Sequence, residues 1–562
     1  MHNLASTDIV VLILYLIVTV IIGSRAARHI KTREDFFMGS RRFGKLLTAF
    51  STFGAGTHAD TAVAVSSETY NVGLAGIWYQ WIMLLTLPIY WLLAPVFRRA
   101  RVLTTADFFE ARFGRDFMIL YSIFGMFVCT IFTAVLLFGS ARLVEALTAG
   151  AITKSVGIFS IGVVAFSYGI VGGLIAAVWN DLFQGIMTII MSTMMIPFFW
   201  LRIGGLNQFR QALPDPQAAF RLVMDRQITP YWIFAVSVAS LLSMVVQPHI
   251  MSNAGSTKSE MDSRVGFTSG LLLKRCMSVP WALTGVMAIA MYGAGNIKGD
   301  LAFGMLARDL LPAGFSGLMV AGVLAAAMSS SSVLMISFSA LWTNNIYKRF
   351  INVTSGESNL VSMSRITSAI FGVCSLGLSF AFGDMPGAMR FIWKTLPLMG
   401  IAFFLGLFWR RANRYGAFAS FGGALVAMLI GQIVFGWRGD AGLPRIITFF
   451  VVTGTLCGIA ASYLTNPEAE EQLDRFYLNI NTPVLPGEKP KLNRTSEPGQ
   501  AESTPRKPGS PDVNVRGKPQ SRRNWNLPTP SREAWVGFLV CLGIVATMIT
   551  GLNFLAAWLA GP

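Results

Sequence analysis

The chain has few charged residues: Asp, Glu, Lys and Arg make up only 13% of its 562 residues. A soluble domain usually has about a quarter of its residues charged, so this composition excludes an ordinary soluble protein. Instead, 53% of the residues are hydrophobic and the mean hydropathy is +0.56. The apolar residues come in runs of roughly 20, the length at which a helix crosses ~30 Å of hydrocarbon. The sequence therefore predicts an all-α, multi-pass membrane protein.

Cysteines and catalytic patterns are equally sparse. The five cysteines have neither metal-site nor paired spacing, and they lie in or beside apolar segments: Cys129, Cys276, Cys374, Cys457 and Cys541. We expect them to be small buried hydrophobic residues. The sequence also shows no Ser/His/Asp arrangement and no cluster of metal ligands, which argues against a membrane enzyme.

The basic residues, which give a net charge of +17, occur in short clusters between the apolar runs. Membrane topology places basic residues there, so nucleic acid is not expected as a partner. About 14 transmembrane helices are predicted, at 7–25, 45–68, 75–97, 117–146, 154–173, 175–202, 231–253, 262–294, 313–345, 363–383, 387–409, 415–436, 444–464 and 533–557. If every helix crosses once, most basic clusters fall on one side. This predicts an inner-membrane protein with both termini extracytoplasmic.

One stretch does not belong to the membrane. Residues 466–532, between the membrane domain (1–465, 13 helices) and the last helix (533–562), are rich in Pro, Ser, Asn, Lys and Arg. Residues 487–530 have too few apolar side chains to offset the entropy of ordering, and we predict a disordered cytoplasmic linker. Its basic residues either contact anionic lipid or simply keep a tether solvated.

The second predicted span contains polar residues that are costly in a membrane. It reads FGAGTHADT over 53–61, with Gly54, Gly56, His58 and Asp60 near its middle. An unwound turn here would free carbonyl oxygens, which are hard ligands for a cation. Broken helices of this kind mark binding sites in transporters. The alternative is that the glycines only let two helices pack closely.

Four consecutive serines, Ser329 to Ser332, lie in the ninth predicted span after three alanines. Serine hydroxyls in an apolar helix can bond back to carbonyls of the preceding turn. Four in a row point around the whole helix, so some are expected to face a polar neighbour.

Three other spans contain polar side chains. Asp181 lies near the start of the sixth span, and Gln247-Pro248-His249 interrupts the seventh. Lys274 and Arg275 lie about twelve residues into the eighth span, or ~18 Å along a helix. At that depth they face a cavity, unless the helix begins later and they snorkel to the interface.

Several stretches resemble motifs of the sodium/solute symporter family, which includes sodium/proline, sodium/sugar and sodium/pantothenate carriers. They appear in the family's order, over about residues 8–464. The matching stretches are EDFFMGSRR (34–42), TADFFEARF (105–113), YGIVGG (168–173) with WNDLFQ (179–184), AAAMSSSS (325–332) with NIYKRF (345–350), and GLFW (406–409).

The resemblance implies a LeuT-type core of two inverted five-helix repeats over about residues 45–411, with a broken second helix. It also implies a sodium ion between the second and ninth spans. The implied ligands are three carbonyls and two hydroxyls: those of Gly54, Thr57, Ala326, Ser329 and Ser330. None carries a formal charge, which suits a monovalent ion.

A second sodium site, present in some relatives, would use Asp181 and two serines. Only Ser332 is kept here, because Val333 holds the other position. One sodium ion per cycle is therefore expected, with Asp181 and Ser332 as a partial second site or exit path.

The resemblance also places solute contacts on the broken helix and on the helices that follow it. The candidate residues are His58, Asp60, Thr61, Gln80, Gln247, His249, Lys274 and Lys394. Gln247-Pro248-His249-Ile250 resembles a stretch of the sodium/proline carriers, and the cation pair favours a carboxylate. A proline-like amino acid or other small carboxylate is therefore expected. A sugar is the alternative, because Gln80, Gln247 and Lys274 are also suited to bind hydroxyls.

The function expected is sodium-coupled symport by alternating access. A channel is a competitor, but the sequence has no repeated pore loop. A transporter-like sensor is another, but the linker shows no output domain. The sequence is silent on oligomeric state.

Overall fold

The computed structural model describes residues 6–27, 44–57, 59–102, 104–354, 356–484 and 531–561. Within these ranges the chain is helical and no β-strand is formed. The helices are α1 Ser6–Ala27, α2 Lys45–Gly56, α3 Ala59–Val72, α4 Trp78–Trp81, α5 Leu87–Arg99, α6 Thr105–Phe113, α7 Arg115–Leu147, α8 Lys154–Ile203, α9 Leu206–Ala212, α10 Pro216–Ala219, α11 Pro230–Met244, α12 Pro248–Gly255, α13 Glu260–Tyr292, α14 Gly299–Leu310, α15 Phe315–Ala340, α16 Glu357–Ser379, α17 Met385–Thr395, α18 Pro397–Phe408, α19 Arg414–Ile433, α20 Gly439–Leu464, α21 Glu470–Asn481 and α22 Arg532–Ala560. A 3₁₀ turn, Gly73–Ile77, precedes α4, and a π-helix, Leu341–Ile351, follows α15.

Eight helical stretches in the described residues are long and apolar enough to cross a membrane. They are Arg115–Leu147, Leu182–Ile203, Phe315–Ile351, Asn359–Ser379, Met385–Phe408, Arg414–Ile433, Gly439–Leu464 and Arg532–Ala560. Shorter apolar helices occur at Ser6–Tyr15, Lys154–Phe166 and Pro230–Met244. The prediction of an all-helical, multi-pass membrane protein is confirmed, while the count of 14 helices stays a prediction.

The boundary predicted between the fifth and sixth spans is absent, since one helix, α8, covers both 154–173 and 175–202. Gly172 and Gly173 lie near the predicted boundary. Glycine has a backbone N–H group and can therefore continue the hydrogen bonds of a helix. Proline, which lacks this N–H, occurs in α8 only at Pro197, far from the expected boundary.

The second predicted span is broken, as the sequence indicated. The helix α2 ends at Gly56, and Thr57 has an extended backbone with φ −121° and ψ 105°. The helix α3 begins at Ala59, while His58 lies outside the described residues. A second break separates α11 from α12, where Pro248 opens the new helix after Gln247. The two breaks interrupt helices that pack around the centre of the molecule.

Close helix packing fixes the position of α2 against α13. A Cβ atom added at Gly266 would lie 2.6 Å from Thr48 Cβ, and one at Gly270 would lie 2.5 Å from the Ala49 carbonyl oxygen. A side chain at either position would push the helices apart, so small residues allow this approach. Glycines of α13 thus allow close helix packing, whereas the packing alternative for Gly54 and Gly56 stays a prediction.

The linker begins with an ordered helix that the sequence analysis did not predict. Leu473, Phe476, Tyr477 and Ile480 of α21 are buried, at the i, i+3, i+4, i+7 spacing of one helix face. This face packs on α5 and α6. The segment predicted to be disordered, 487–530, lies outside the described residues.

Candidate sodium and solute site

The predicted sodium ligands come from two elements that pack against each other. The helix α15 contacts both α2 and α3, on either side of the break at Thr57. Thr57, Ala326 and Ser330 are all buried. The carbonyl of Gly54 accepts a hydrogen bond from Thr57 N at 3.2 Å, and the side chain of Ser329 lies outside the described residues. Carbonyl and hydroxyl oxygens are the type of ligand that a hard cation prefers.

Two buried hydroxyls lie near these ligands, and neither was itself predicted as a sodium ligand. The Thr57 Oγ1 and Ser331 Oγ atoms are buried without a hydrogen-bond partner in the described structure. Ser332, by contrast, donates to the Met328 carbonyl at 2.7 Å. Back-bonding to the preceding turn therefore accounts for Ser332 but not for Ser331. An unpartnered buried hydroxyl indicates a missing polar neighbour, such as water or an ion.

A cavity of about 20 Å³ adjoins the predicted sodium ligands. Its lining includes Ala62 of α3, Ala326 of α15 and Trp281 of α13. The indole of Trp281 donates to Ser192 Oγ at 2.8 Å, which fixes one wall. This volume holds about one water molecule.

Charged side chains meet at the centre of the molecule, next to the α2–α3 break. Asp60 is 5% exposed, and its Oδ1 atom has no hydrogen-bond partner in the described residues. It lies against α7, where a Cβ added at Gly139 would come within 2.5 Å of Asp60 Cβ. Lys274 interacts electrostatically with Asp60 and with His249, whose ring packs on Phe132. Residues of three helices, α3, α12 and α13, define the central charged cluster: Asp60, His249, Lys274 and Arg275.

Arg275 is only 1% exposed, so it does not snorkel to the membrane interface. Its NH1 donates to the Gln80 carbonyl at 2.7 Å and to Gln80 Oε1 at 2.6 Å, and its NH2 contacts Met83 Sδ at 3.1 Å. These partners are neutral, and no carboxylate lies within ion-pairing distance of Arg275 in the described structure. The guanidinium is therefore held in place by hydrogen bonds to neutral groups, and no carboxylate of the described structure pairs with its positive charge.

The sequence that forms this site matches the profile of a transporter family. The sodium:solute symporter family profile matches residues 36–425, which is more than half of the chain. The chain belongs to the sodium:solute symporter family. It is therefore a sodium-coupled secondary transporter rather than an enzyme, and the predicted family resemblance is confirmed.

Relatives of the symporter differ in the solute that their names give. A sodium/glucose cotransporter of Vibrio parahaemolyticus is 26% identical over 74% of this chain and 83% of its own length. A sodium/proline symporter of Haemophilus influenzae is 24% identical over 82% of this chain and 95% of its own length. Family membership consequently leaves the solute open.

A solved structure shares the fold of the symporter. It is a substrate-bound, outward-open sodium-coupled sialic acid symporter, 18% identical, with a TM-score of 0.70 over 83% of this chain and 99% of that one. At this identity the likeness shows the fold, which is LeuT-type. The two inverted five-helix repeats stay a prediction.

The other predicted solute residues lie in different surroundings. Thr61 is buried one residue after Asp60, and Gln247 is buried at the α11–α12 break. Gln80 is buried but committed to Arg275. Lys394 is half-buried on α17, with Arg390 as its charged neighbour. The side chain of Asp181 is outside the described residues.

A polar network that the sequence did not predict lies at one end of the symporter, where α3 ends and α17 and α20 begin. The Tyr79 hydroxyl donates to Asp440 Oδ1 at 2.9 Å, and Arg390 donates to Asp440 Oδ2 at 2.9 Å. Trp232 and Trp393 pack on the Tyr79 ring, with centroids 5.7 and 4.8 Å away. We call this set, with Glu68, the end network: Glu68, Tyr79, Trp232, Arg390, Trp393 and Asp440. The sequence feature that could have pointed to this network is Glu68, an acid at the end of the second predicted span.

Proposed function

We propose that the symporter imports a small solute that bears a carboxylate, such as a proline-like amino acid, together with sodium. The observation that supports this is the charge of the central cluster. Lys274 and Arg275 supply two positive charges there and Asp60 supplies one negative charge, while the contacts of Arg275 are all to neutral groups. A buried positive charge without a counter-ion is costly, and an anionic group of the solute would supply that counter-ion.

Sodium and solute would bind to neighbouring parts of one broken helix. The carbonyl of Thr57 is a proposed sodium ligand, and Asp60 follows it by three residues. Sodium would draw α15 towards the α2–α3 break and so fix the start of α3, where the solute site begins. Each ligand would then raise the affinity for the other by the same factor, which is what symport requires.

A sugar is the second candidate, because relatives include a sodium/glucose cotransporter. Gln80 was a predicted hydroxyl ligand, but its Oε1 already accepts from Arg275 at 2.6 Å. A sugar would also leave the central positive charge without a counter-ion. Both points favour a carboxylate.

Basic residues cluster at the end of the molecule that carries α21, among them Arg410 and Arg411. The positive-inside rule makes this end cytoplasmic and the end network extracytoplasmic, with both termini on the extracytoplasmic side of the inner membrane.

Uptake into proteoliposomes tests the solute. With an inward sodium gradient, we expect accumulation of labelled proline or of a small monocarboxylate, and competition by other carboxylates but not by sugars. The Lys274→Gln substitution is expected to raise the KM for the carboxylate roughly tenfold to hundredfold, because a charge-assisted hydrogen bond is lost. The Lys298→Gln variant, at an exposed lysine, serves as the control. Sodium-driven uptake of glucose or galactose without any carboxylate uptake would reverse the assignment.

A further inference from the structure

The helix that carries the serine run does not end as an α-helix. After Ala340 it continues into the π-helix Leu341–Ile351, which is 11 residues long. Its last hydrogen bond runs from Asn352 N to the Tyr347 carbonyl, five residues back, at 2.9 Å. π-Helices are rare, occur mostly as single turns and are frequent at functional sites. A run of this length therefore calls for a cause outside the helix itself.

The sequence of this segment does not require a π-helix. It reads LWTNNIYKRFI and contains neither glycine nor proline, the residues that most often disturb a helix. It includes NIYKRF (345–350), one of the stretches that resemble family motifs. An α-helix through these residues would satisfy the same kind of backbone groups, with one residue fewer in each hydrogen-bonded turn. Contacts with the rest of the molecule therefore select the π form.

The helix α6 and its N-cap residue hold the π-helix on one face. Asn345 is fully buried, and its Nδ2 donates to Asp107 Oδ1 at 2.8 Å. Arg349, four residues further on, donates to the same oxygen at 3.1 Å and pairs with Glu110. The Thr104 hydroxyl donates to Asn345 Oδ1 at 3.4 Å. We call these five residues the α6 lock: Thr104, Asp107, Glu110, Asn345 and Arg349.

The lock is rigid on its α6 side. Thr104 Oγ1 accepts from Asp107 N at 3.1 Å, and Asp107 Oδ2 accepts from Thr104 N at 3.0 Å, which is a capping box. One carboxylate thus fixes the start of α6 with one oxygen and binds the π-helix with the other. Because the capping box holds this carboxylate, it cannot follow the π-helix if the residues of that helix turn.

The hydrogen-bond register decides which face of the segment meets α6. A π turn holds one residue more than an α turn, so the return of a single turn to α geometry rotates the residues beyond it by ~100°. Asn345 and Arg349 would then point away from Asp107 and Glu110. The intact lock and the α form of this segment therefore exclude each other.

The α6 lock lies at the end of the molecule that carries α21. The helix α6 packs on α21 and also on α12, the helix that starts at the second break. The helix α12 in turn contacts α15. The lock therefore ties the end of α15 to a helix that packs on α12, between the second break and this end of the molecule.

We propose that Leu341–Ile351 is a register switch that controls opening of this end of the symporter. With the α6 lock formed, the segment is π-helical and the end is closed. When the lock breaks, the segment relaxes to an α-helix, and α6 and α12 separate from the end of α15. This opens a path from the second break to the surface.

A distance measured within one helix separates a change of register from a rigid movement. Spin labels at Phe315→Cys and Ile351→Cys, both exposed, flank the helix in a full-length variant whose five native cysteines are replaced. An α-helix of this span separates them by on the order of 54 Å, at 1.5 Å per residue. The π form is shorter, because more residues share each turn. We expect a main shorter distance and a minor longer one, whereas a rigid movement leaves the distance unchanged.

Breaking the lock should favour the longer distance. Arg349→Gln removes the ion pair with Glu110 and should raise the ratio of the longer to the shorter distance roughly fivefold or more. The matched control is Lys348→Gln, because Lys348 is the neighbouring cation and forms no ion pair in the described part of the chain. It should keep the original distribution. Exchanging the charges, with Glu110→Arg and Arg349→Glu together, keeps a base between two acids and should restore the shorter distance.

Thiol reactivity reports whether the end opens. Thr343 lies in the π-helix and is 1% exposed. In purified protein, Thr343→Cys should react slowly with a water-soluble maleimide while the lock is intact, and roughly fivefold faster when Arg349→Gln is added. Neither readout uses a solute or a sodium-ligand variant, so the result is independent of the proposed function.

Three results would overturn the proposal. The first is one unchanged distance in both the original lock and Arg349→Gln. The second is an equal shift in Arg349→Gln and Lys348→Gln. The third is faster maleimide reaction without the longer distance, since the end would then open by rigid movement. If Arg349→Gln does not fold, Glu110→Gln breaks the same ion pair from the α6 side and takes its place.

Discussion

At the scale of residues, the hydroxyls of the serine run on α15 lie in different surroundings. Ser330 is buried, Ser331 Oγ has no partner in the described structure, and Ser332 bonds back to its own helix. One hydroxyl of this run is thus satisfied locally, whereas Ser329 and Ser330 stay predicted as ligands. A serine hydroxyl that bonds back to its own helix needs no other partner, whereas a hydroxyl that does not is available to coordinate an ion.

Removing the serine ligands is expected to weaken sodium binding. The Ser329→Ala and Ser330→Ala substitutions should each raise the sodium concentration for half-maximal uptake roughly tenfold or more, because one ligand oxygen is lost. Sodium-dependent tracer uptake measures this, with membrane insertion checked separately. The control is Ser337→Ala, since Ser337 Oγ donates to its own helix at Val333. Unchanged sodium dependence in the double Ser329/Ser330 variant contradicts the assignment.

Asp181 is expected to act in sodium release or in a partial second site with Ser332. The Asp181→Asn substitution should then slow uptake more than it weakens solute binding. Comparing the maximal uptake rate with the solute dissociation constant separates the two effects. Equal uptake rates in wild type and variant would mean that Asp181 only anchors the end of its helix.

At the scale of elements, α15 is held at its start by a residue of α1. The Asp8 Oδ1 atom accepts hydrogen bonds from Gly314 N and Gly317 N, both at 2.7 Å. Gly314, the N-cap residue, has no side chain to do this itself. The carboxylate also opposes the positive end of the helix dipole. A helix outside the predicted core thus caps the helix that carries the proposed sodium ligands.

Loss of this cap is expected to destabilise the protein. The Asp8→Ala substitution should cost about 0.5–2 kcal/mol, as other N-cap deletions do, while Asp8→Asn should retain most of the cap. Thermal unfolding in detergent, followed by intrinsic fluorescence, measures the difference in Tm. Asp116→Ala is the control, because this exposed acid lies in the first turn of α7 with only a 4.0 Å contact to Arg414. A Tm of Asp8→Ala equal to that of wild type argues against a capping role.

At the scale of the whole molecule, the segment after α20 crosses the end opposite the end network and ties distant helices together. Tyr477 donates to the Gly406 carbonyl at 2.7 Å, and Arg410 pairs with Asp474 at 2.6 Å. Glu260 of α13 accepts from Arg99 at 2.8 and 2.7 Å and from Val484 N at 2.9 Å. This segment, residues 470–484, therefore connects α5, α13 and α18.

The contacts of Glu260 predict an acid-sensitive attachment. Partial burial by itself raises the pKa of the Glu260 carboxyl, but hydrogen bonds from Arg99 and Val484 N outweigh it, so the pKa lies below its ordinary value. A depressed pKa stabilises the folded form above the unfolded pKa of about 4.3, and this stability is lost as the pH falls through the folded value.

Thermal unfolding between about pH 3 and pH 7 tests this, because the window brackets the ordinary glutamate pKa. Wild type should lose Tm on acidification by more than the Glu260→Gln variant does. The variant should already have a lower Tm at neutral pH. Glu471→Gln is the control, since this acid makes only an exposed i,i+4 pair with Arg475. Parallel Tm profiles for wild type and Glu260→Gln would contradict the role given to the ion pair.

The sequence by itself determined the class of the protein and much of the proposed sodium site. Runs of apolar residues predict membrane helices because hydrocarbon requires every backbone polar group to bond within its own segment. The glycines before Thr57 predicted the α2–α3 break correctly, since that break is a local property of the backbone. The order of the motifs along the chain identified the family. The serine run drew attention to α15, because consecutive hydroxyls are unusual in an apolar helix.

Only the tertiary structure decided which polar side chains meet. Gln80 and Arg275 are 195 residues apart and are hydrogen-bonded to each other, so the Gln80 side chain is not free to bind a solute hydroxyl as the sequence suggested. Lys394, predicted at the solute site, has Arg390 as its charged neighbour, and the buried Glu68 was not singled out from the sequence. These pairings depend on how distant helices pack, whereas hydrophobic periodicity specifies only which face of each helix is apolar. The absence of an ion pair at Arg275 in the described structure is therefore a property of the fold.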